Sequence, residues 1–583
     1  MTSHDISDRS NIPTTSQKGL IVSSHTSPRW GARIAAVVGV VALSAVGFGA
    51  PALAADPEYG NINANADGSI TIHKHEHQSG GTPVSGDPQA PGSTLPNPIA
   101  GVVFTAYQLT DFSVTDAADW NALSTVAAPA DACAAPSLSG WTLGAGTALP
   151  ATDASGIATL SLVNASPAQP NARLGAYLIC ETTPPADATD IAVPFVVTVP
   201  FPDNQAGAPT NSNGWLYNVH AYPKNGLAPT ITKTVDAQTE LGLGATASFE
   251  VVTTVPRIAD GNQFTSYTVV DPMDPRLTPT AVESVTLGTT ALVRDVDYTV
   301  VTDRNVLMVS FTQAGLTTLK ASGGQSVTTV FSGTVSSIAP VAGFGLDAGE
   351  IYNIAYLVTE NEPGTTPPVT PETPPLAPGG PVNPNEPFDP NEPAVPSIPS
   401  PAVTQNWGDV KVFKFDAGDG STAVNGAVFE VYEAAIPYAT TCTTDVSTVN
   451  VDPIEVDGAT TFTSTNGLVL VPGLFVSDSS NTPVDSATRC YVLKETAAPA
   501  GFVTPTGAAA LLAVQIEIGE TTVTAGDLAS YDGAIGNVKS DVPNLPLTGG
   551  QGQVVLMSLG AGLILIAGGA AFVARRRKEK QAQ

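Results

Sequence analysis

Three strand-length runs in this chain place a lysine on the face that otherwise holds aliphatic side chains. In "SITIHKHEH", Lys74 is in phase with Ile70 and Ile72; in "PTITKTVD", Lys233 is in phase with Ile231 and Val235; in "DVKVFKFD", Lys414 is in phase with Val410 and Val412. Successive side chains on a strand point to opposite faces, so each lysine is directed into the apolar layer its neighbours build. An isolated buried ammonium is costly. Burial lowers a lysine pKa and raises that of a nearby carboxyl, which favours a neutral amine beside a protonated acid. Three acids recur in a matching context of aromatic and aliphatic residues: Glu181 after Tyr177 and Ile179, Asp271 after Tyr267 and Val269, and Glu495 after Tyr491 and Leu493.

The rest of the chain keeps the same period. Short alternating runs of Val, Thr, Ile and aromatics, punctuated by Gly, Pro, Asn and Asp, predict an all-β protein of immunoglobulin-like β-sandwiches. A length of 583 residues predicts several domains rather than one core. The net charge of −29 argues against nucleic acid as a partner and suits a soluble, self-repelling surface molecule. No nucleophile–base pair, zinc motif or glycosidase-like carboxylate pair stands out, so the chain does not read as an enzyme and no cofactor is expected.

Both ends carry targeting signals. Arg29 and Arg33 precede "IAAVVGVVALSAVGFGA", and "APALAAD" follows. This is the basic, apolar and small-residue order of a secretory signal peptide over 1–55, cleaved after Ala54 or Ala55, with a retained signal anchor as the alternative. At the other end "VVLMSLGAGLILIAGGAAFVA" is long enough to span a bilayer as a transmembrane helix, and "RRRKEK" behind it holds that end in the cytoplasm. The body between them is therefore exported.

"LPLTGG", Leu545 to Gly550, stands directly before the apolar span. LPxTG, span and terminal basic cluster together resemble the cell-wall sorting signal of Gram-positive surface proteins, here 544–583. The resemblance implies that a sortase recognises Leu545 and Pro546, that its cysteine attacks the Thr548 carbonyl and releases Gly549 onward, and that the acyl group passes to an amine. "WLYNVHAYPKN", residues 215–225, resembles the pilin motif of sortase-assembled backbone pilins. Trp215, Val219, Tyr222, Pro223, Lys224 and Asn225 match, while Ala221 replaces a second β-branched residue. The resemblance implies that Lys224 accepts the Thr548 acyl group of another subunit. Such an amine must be accessible and neutral when it attacks, and Pro223 stops the strand ladder ahead of it.

Four cysteines permit three pairings, and export favours disulfides. Repeats choose among them: "GVVFTAY" at 101–107 echoes "GAVFEVY" at 426–432, and "AYLICETTPPA" at 176–186 echoes "CYVLKETAAPA" at 490–500. They select Cys133–Cys180 and Cys442–Cys490. These repeats resemble collagen-adhesin B-type domains, whose hallmark is an internal Lys–Asn isopeptide bond promoted by an acid. The resemblance implies Lys414–Asn537 promoted by Glu495 and Lys233–Asn353 promoted by Asp271. Lys74, Glu181 and Asn225 fit the same order, with Asn218 as a rival acceptor, and the family leaves open whether the first domain carries the bond. The competing reading is a buried Lys–carboxylate salt bridge without amide formation.

His73, His75 and His77 fall on the strand face opposite Lys74. A metal comb is one reading; solvated strand histidines, with no metal, are the expectation, because no Cys or acidic cluster completes a site. Sandwich domains are expected at 56–226, 227–360 and 405–543. The proline-rich stretch 361–404 between the last two is either a semi-rigid spacer, at about 3 Å per residue where polyproline II holds, or an elaborated loop. The whole reads as the major structural subunit of a covalent fimbria anchored to peptidoglycan. The partners implied are a pilus-specific (class C) sortase, a housekeeping sortase, further copies of the chain, and minor tip or basal pilins. A singly anchored, non-polymerised adhesin for host matrix or glycan is the alternative, and the adhesive ligand is not legible.

Overall fold

The alternating runs do form strands. The computed structural model describes residues 62–63, 66–77, 96–163, 174–202, 214–341, 346–370, 374 and 395–540. The expected signal peptide, the sorting signal with Leu545, Pro546, Thr548 and Gly549, and the apolar span lie outside them. Among the described residues no helix is long and apolar enough to cross a membrane. The described residues within Met1–His75 and Val84–Asn225 form one compact unit, and those within Glu76–Pro83 and Gly226–Gln583 form another.

In the first unit the strands used below are β1 (Gly68–His73), β2 (Val103–Leu109), β3 (Leu143–Ala148), β4 (Ile157–Leu162), β5 (Gly175–Thr183), β6 (Phe195–Val199), β7 (Asn218–Ala221) and β8 (Lys224–Leu227). One sheet has the order β7-β1-β4 and another the order β3-β2-β5-β6. β7 runs parallel to β1, with Ile70 opposite Val219 and Ile72 opposite Ala221. The inward positions Ile70, Ile72, Phe104, Ile179 and Val219 are buried, as period-two alternation requires of a sheet with a packed face. Cys133 bonds Cys180 on β5.

The second unit begins with β9 (Ile231–Val235), β10 (Thr246–Thr254), β11 (Asn262–Pro272), β12 (Leu277–Leu287), β13 (Tyr298–Asp303), β14 (Val306–Phe311) and β15 (Ser326–Val335). It continues with β16 (Glu350–Asn353), β17 (Tyr356–Pro363), β18 (Ile398–Pro399), β19 (Val403–Asp416), β20 (Val428–Glu433), β21 (Leu468–Asp478), β22 (Thr488–Ala497), β23 (Leu511–Glu517) and β24 (Gly533–Asn537). The order β9-β10-β15-β12 makes one sheet, with Thr290–Ala291 at its edge, and β13-β14-β11-β17-β18 another. Towards the C-terminus β16-β19-β21, with β24 parallel to β19, lies in a sheet distinct from Phe462–Thr463, β20, β22 and β23. Cys442 bonds Cys490 on β22.

The boundary placed between 404 and 405 falls inside β19, a 14-residue strand. Its first residues pair with β16, while Lys414 and its neighbours pair with β24. One continuous strand thus serves both sandwiches, and a single apolar cluster runs from Ile231 to Ile535. The proline-rich stretch is drawn in at both ends: β17 reaches Pro363, and β18 returns to set Leu357 opposite Ile398.

Candidate functional site

Each inward lysine meets an acid. Lys74, one residue beyond β1, lies 2.9 Å from Glu181 Oε2 on β5; Lys233 on β9 lies 2.6 Å from Asp271 Oδ2 on β11; Lys414 on β19 lies 3.1 Å from Glu495 Oε2 on β22. All six side chains are shielded from solvent. Under each ammonium sits a phenylalanine ring, with Nζ 5.6 Å from the Phe104 centroid, 4.9 Å from Phe249 and 5.9 Å from Phe429. Sequence reasoning missed these rings, although Phe104 and Phe429 stand at equivalent places in the repeated GVVFTAY and GAVFEVY segments. Ring faces attract cations, and they also keep water from the pair.

The asparagines complete the constellations to different degrees. Asn225, buried on β8, accepts from Lys74 Nζ through Oδ1 and donates through Nδ2 to Glu181 Oε1 at 2.6 Å. Asn537, the last residue of β24, accepts from Lys414 through Oδ1 and donates to Glu495 Oε1 at 2.6 Å. In both, one carboxylate bridges amine and amide. Asn353 closes β16, and its amide lies against the Asp271 carboxyl. Even so, Asp271 Oδ1 and both polar atoms of the Asn353 side chain make no hydrogen bond of ordinary geometry. Asn218, the rival acceptor in the first unit, is exposed and accepts instead from Ser69 Oγ at 2.9 Å.

Burial sets the electrostatics. It lowers the Lys74 pKa to about 8 against the opposing pull of Glu181, lowers that of Lys414, and raises that of Asp271 despite Lys233 beside it. Each direction favours the neutral partner, as desolvation must. An amine whose charge burial disfavours, an amide and a carboxyl are thereby gathered in a dry site.

The motif around Lys224 is assembled from the same strands. Trp215 is buried against Trp120, with ring centroids 5.2 Å apart. Lys224 is half-buried and Asn225 fully buried, as adjacent strand residues facing opposite ways require.

The histidines overturn an expectation. His73 and His75, expected to be solvated, are only 5% and 4% exposed, while His77 is half-buried. His73 is covered by rings from β7 and its continuation, and His75 makes a 2.6 Å hydrogen bond to Pro96 O. Strand parity could not reveal this, because the covering side chains come from a segment about 150 residues away in sequence. Among the described residues no three His, Cys, Asp or Glu side chains gather as a metal centre would require.

The Gram-positive pilin subunit D1, N-terminal domain family matches residues 65–226, and the LPXTG cell wall anchor motif matches residues 537–580. The chain is 36% identical to the fimbrial subunit type 2 of Actinomyces naeslundii, covering 94% of this chain and 97% of that one. It is 30% identical to the fimbrial subunit type 1 of Actinomyces viscosus, over 94% of this chain and 98% of the relative. The full-length major pilin SpaD from Corynebacterium diphtheriae shares the fold, with a TM-score of 0.54 and 24% identity over 83% of this chain and 99% of that one.

Proposed function

The chain belongs to the cell-wall-anchored fimbrial subunits of Gram-positive bacteria, and from that premise we propose how it is built into a fibre. A pilus-specific (class C) sortase cleaves after Thr548 and transfers the acyl group to Lys224 of another copy, so subunits join head to tail by isopeptide bonds. A housekeeping sortase finally passes the chain to peptidoglycan, and minor pilins occupy the tip or base. The observation that carries this reading is the setting of Lys224, half-buried behind a proline at the exit of β7 and directly before Asn225, whose side chain reaches the Lys74–Glu181 pair.

Within each subunit the clustered residues form internal crosslinks. The lone pair of Lys414 Nζ attacks Asn537 Cγ, the new C–N bond forms, and the Cγ–Nδ2 bond breaks. Glu495 relays a proton from the amine to the departing nitrogen, and ammonia leaves. Lys74, Asn225 and Glu181 support the same step, as do Lys233, Asn353 and Asp271. These are single self-modifications rather than turnover. Each bond ties an early strand to a late one, so a pull along the fibre passes through covalent links.

The test is tandem mass spectrometry of wall material that resists boiling in detergent. A branched peptide joining Thr548 to Lys224 is the expected result. Thr548 found only on wall peptide, with Lys224 free, would instead make the protein a singly anchored adhesin.

A further inference from the structure

The outer face of the β7-β1-β4 sheet carries a series of polar pairs. Ser69 bonds Asn218 at 2.9 Å, Thr71 bonds Thr159 at 3.2 Å, and His73 Nε2 meets His220 Nδ1 at 2.8 Å. The first two pairs are exposed, whereas the His73 ring is enclosed. It meets His220 edge to edge through that hydrogen bond, with centroids 5.1 Å apart and planes at 27°, and lies nearly parallel to Tyr222, at 5.0 Å and 18°. Ile72 is opposite Ala221 in the register, so His220 and Tyr222 flank that position and both contact His73.

These rings hold the chain where β7 gives way to β8. β7 has four residues, and its register with β1 runs to Ala221. Beyond it the His75 N–H donates to Pro223 O at 3.3 Å, Pro223 itself has no N–H to offer, and Lys224 opens β8. We propose that His73 is a positioning residue for the intersubunit reaction: by clasping His220 and Tyr222 it fixes the end of β7 and so the placement of Lys224 at the start of β8. The proposal rests on the reading of Lys224 as the acceptor amine.

The clasp has a chemical signature. Two ring nitrogens 2.8 Å apart share one hydrogen, so the pair survives one added proton but not a second, which would set N–H against N–H. His73 faces His220 and Tyr222 on one side and has His75 next along its own strand direction, with Lys224 close enough to His75 to oppose a charge there. Burial, His220 and His75 together lower the His73 pKa to about 4, so the clasp is intact at neutral pH.

The experiment uses the exported chain, a pilin-type sortase and a peptide donor bearing LPLTG, with product at Lys224 quantified by peptide mapping. Hydrogen exchange over 215–225 is followed in parallel. His73→Ala should lower kcat for transfer to Lys224 at least about tenfold, as misplacing a reacting group does, with KM for the chain little changed and faster exchange at 218–222. His220→Ala should do the same from the other side of the pair. His73→Phe, which keeps a ring but cannot be protonated, should restore much of the kcat and lessen the acid sensitivity of exchange in this segment. Equal kcat and equal exchange in wild type and both alanine variants would overturn the proposal alone. No product on wild-type Lys224, with donor peptide consumed elsewhere, would overturn the acceptor reading and the positioning role together.

Discussion

The backbone N–H of Ala192 donates to Glu181 Oε2 across 2.9 Å, on the same oxygen that faces Lys74. Glu495 has no such donor: its Oε2 makes no hydrogen bond of ordinary geometry, although Lys414 Nζ stands 3.1 Å away. In the other respects described, the two constellations are alike, each with an asparagine Nδ2 2.6 Å from the carboxylate. That oxygen is the one placed to take a proton from Lys74, and the Ala192 N–H already occupies it. Lys74–Asn225 should therefore close more slowly than Lys414–Asn537 in freshly produced chain. Time-resolved peptide mapping of ammonia loss checks the order; equal rates would refute the effect assigned to Ala192.

Removing one member of the C-terminal constellation should have unequal effects. Lys414→Ala leaves Glu495 buried with neither the amine nor the crosslink's amide N–H beside it, a change that costs about 1–3 kcal/mol on top of the lost crosslink. Asn537→Ala keeps the ion pair and loses only the crosslink and its contacts. Both variants should retain the mass of one extra ammonia relative to crosslinked protein, apart from the substitution itself, and both should be cut faster by protease, Lys414→Ala more so. Proteolysis and melting unchanged from wild type would rule out the crosslink there.

A pH dependence should appear only when the first crosslink is prevented. In Asn225→Ala, Lys74 remains an amine whose folded-state pKa, lowered by burial, is about 8 in the intact site. Between that value and the ordinary lysine value the unfolded chain binds a proton that the folded chain has shed, so stability rises with pH through this window. Below it both states are protonated and the slope vanishes. In crosslinked wild type the amide nitrogen does not titrate, and the slope should be missing. Urea unfolding of the first unit at several pH values between 7 and 10.5 distinguishes the two, and identical slopes would contradict the assignment.

The Cys442–Cys490 bridge closes a sequence separation of 48 residues beside a small cluster formed by Tyr432, Ala434 and Val492. A loop of that size is worth about 2–5 kcal/mol to a folded domain. Cys442→Ser with Cys490→Ser should lower the melting temperature while leaving the Lys414–Asn537 ammonia loss intact, because Glu495 is placed by β22 pairing with β20. Loss of both together would show that the bridge is needed to assemble the site.

Much of the site was legible because strand parity is local. Lys74, Lys233 and Lys414 face inward for the same reason as Ile72, Ile231 and Val412, and the acids follow an aromatic-x-aliphatic-x-acid pattern with that period. His73 and His75 obey the same parity, yet their burial was not legible: a strand's second face is solvated or covered according to what lies across it. His220 and Tyr222 do the covering at His73. The stretch from β16 to β19 was only partly legible for a related reason. A proline-rich segment signals a break in composition, but pairing of β17 with β18 and the continuity of β19 past residue 404 depend on where the flanking strands dock.

The sequence by itself determined the strand period, the inward lysines and their acids, the half-cystine repeats, and the motifs at Lys224 and Thr548, because each is written in residues a few positions apart. Tertiary structure alone decided that Asn225 rather than Asn218 meets Lys74, that Ala192 leans on Glu181, and that a histidine pair clasps the end of β7. Those contacts join residues 11 to 151 positions apart, and they exist only once the strands have packed and excluded water from between them.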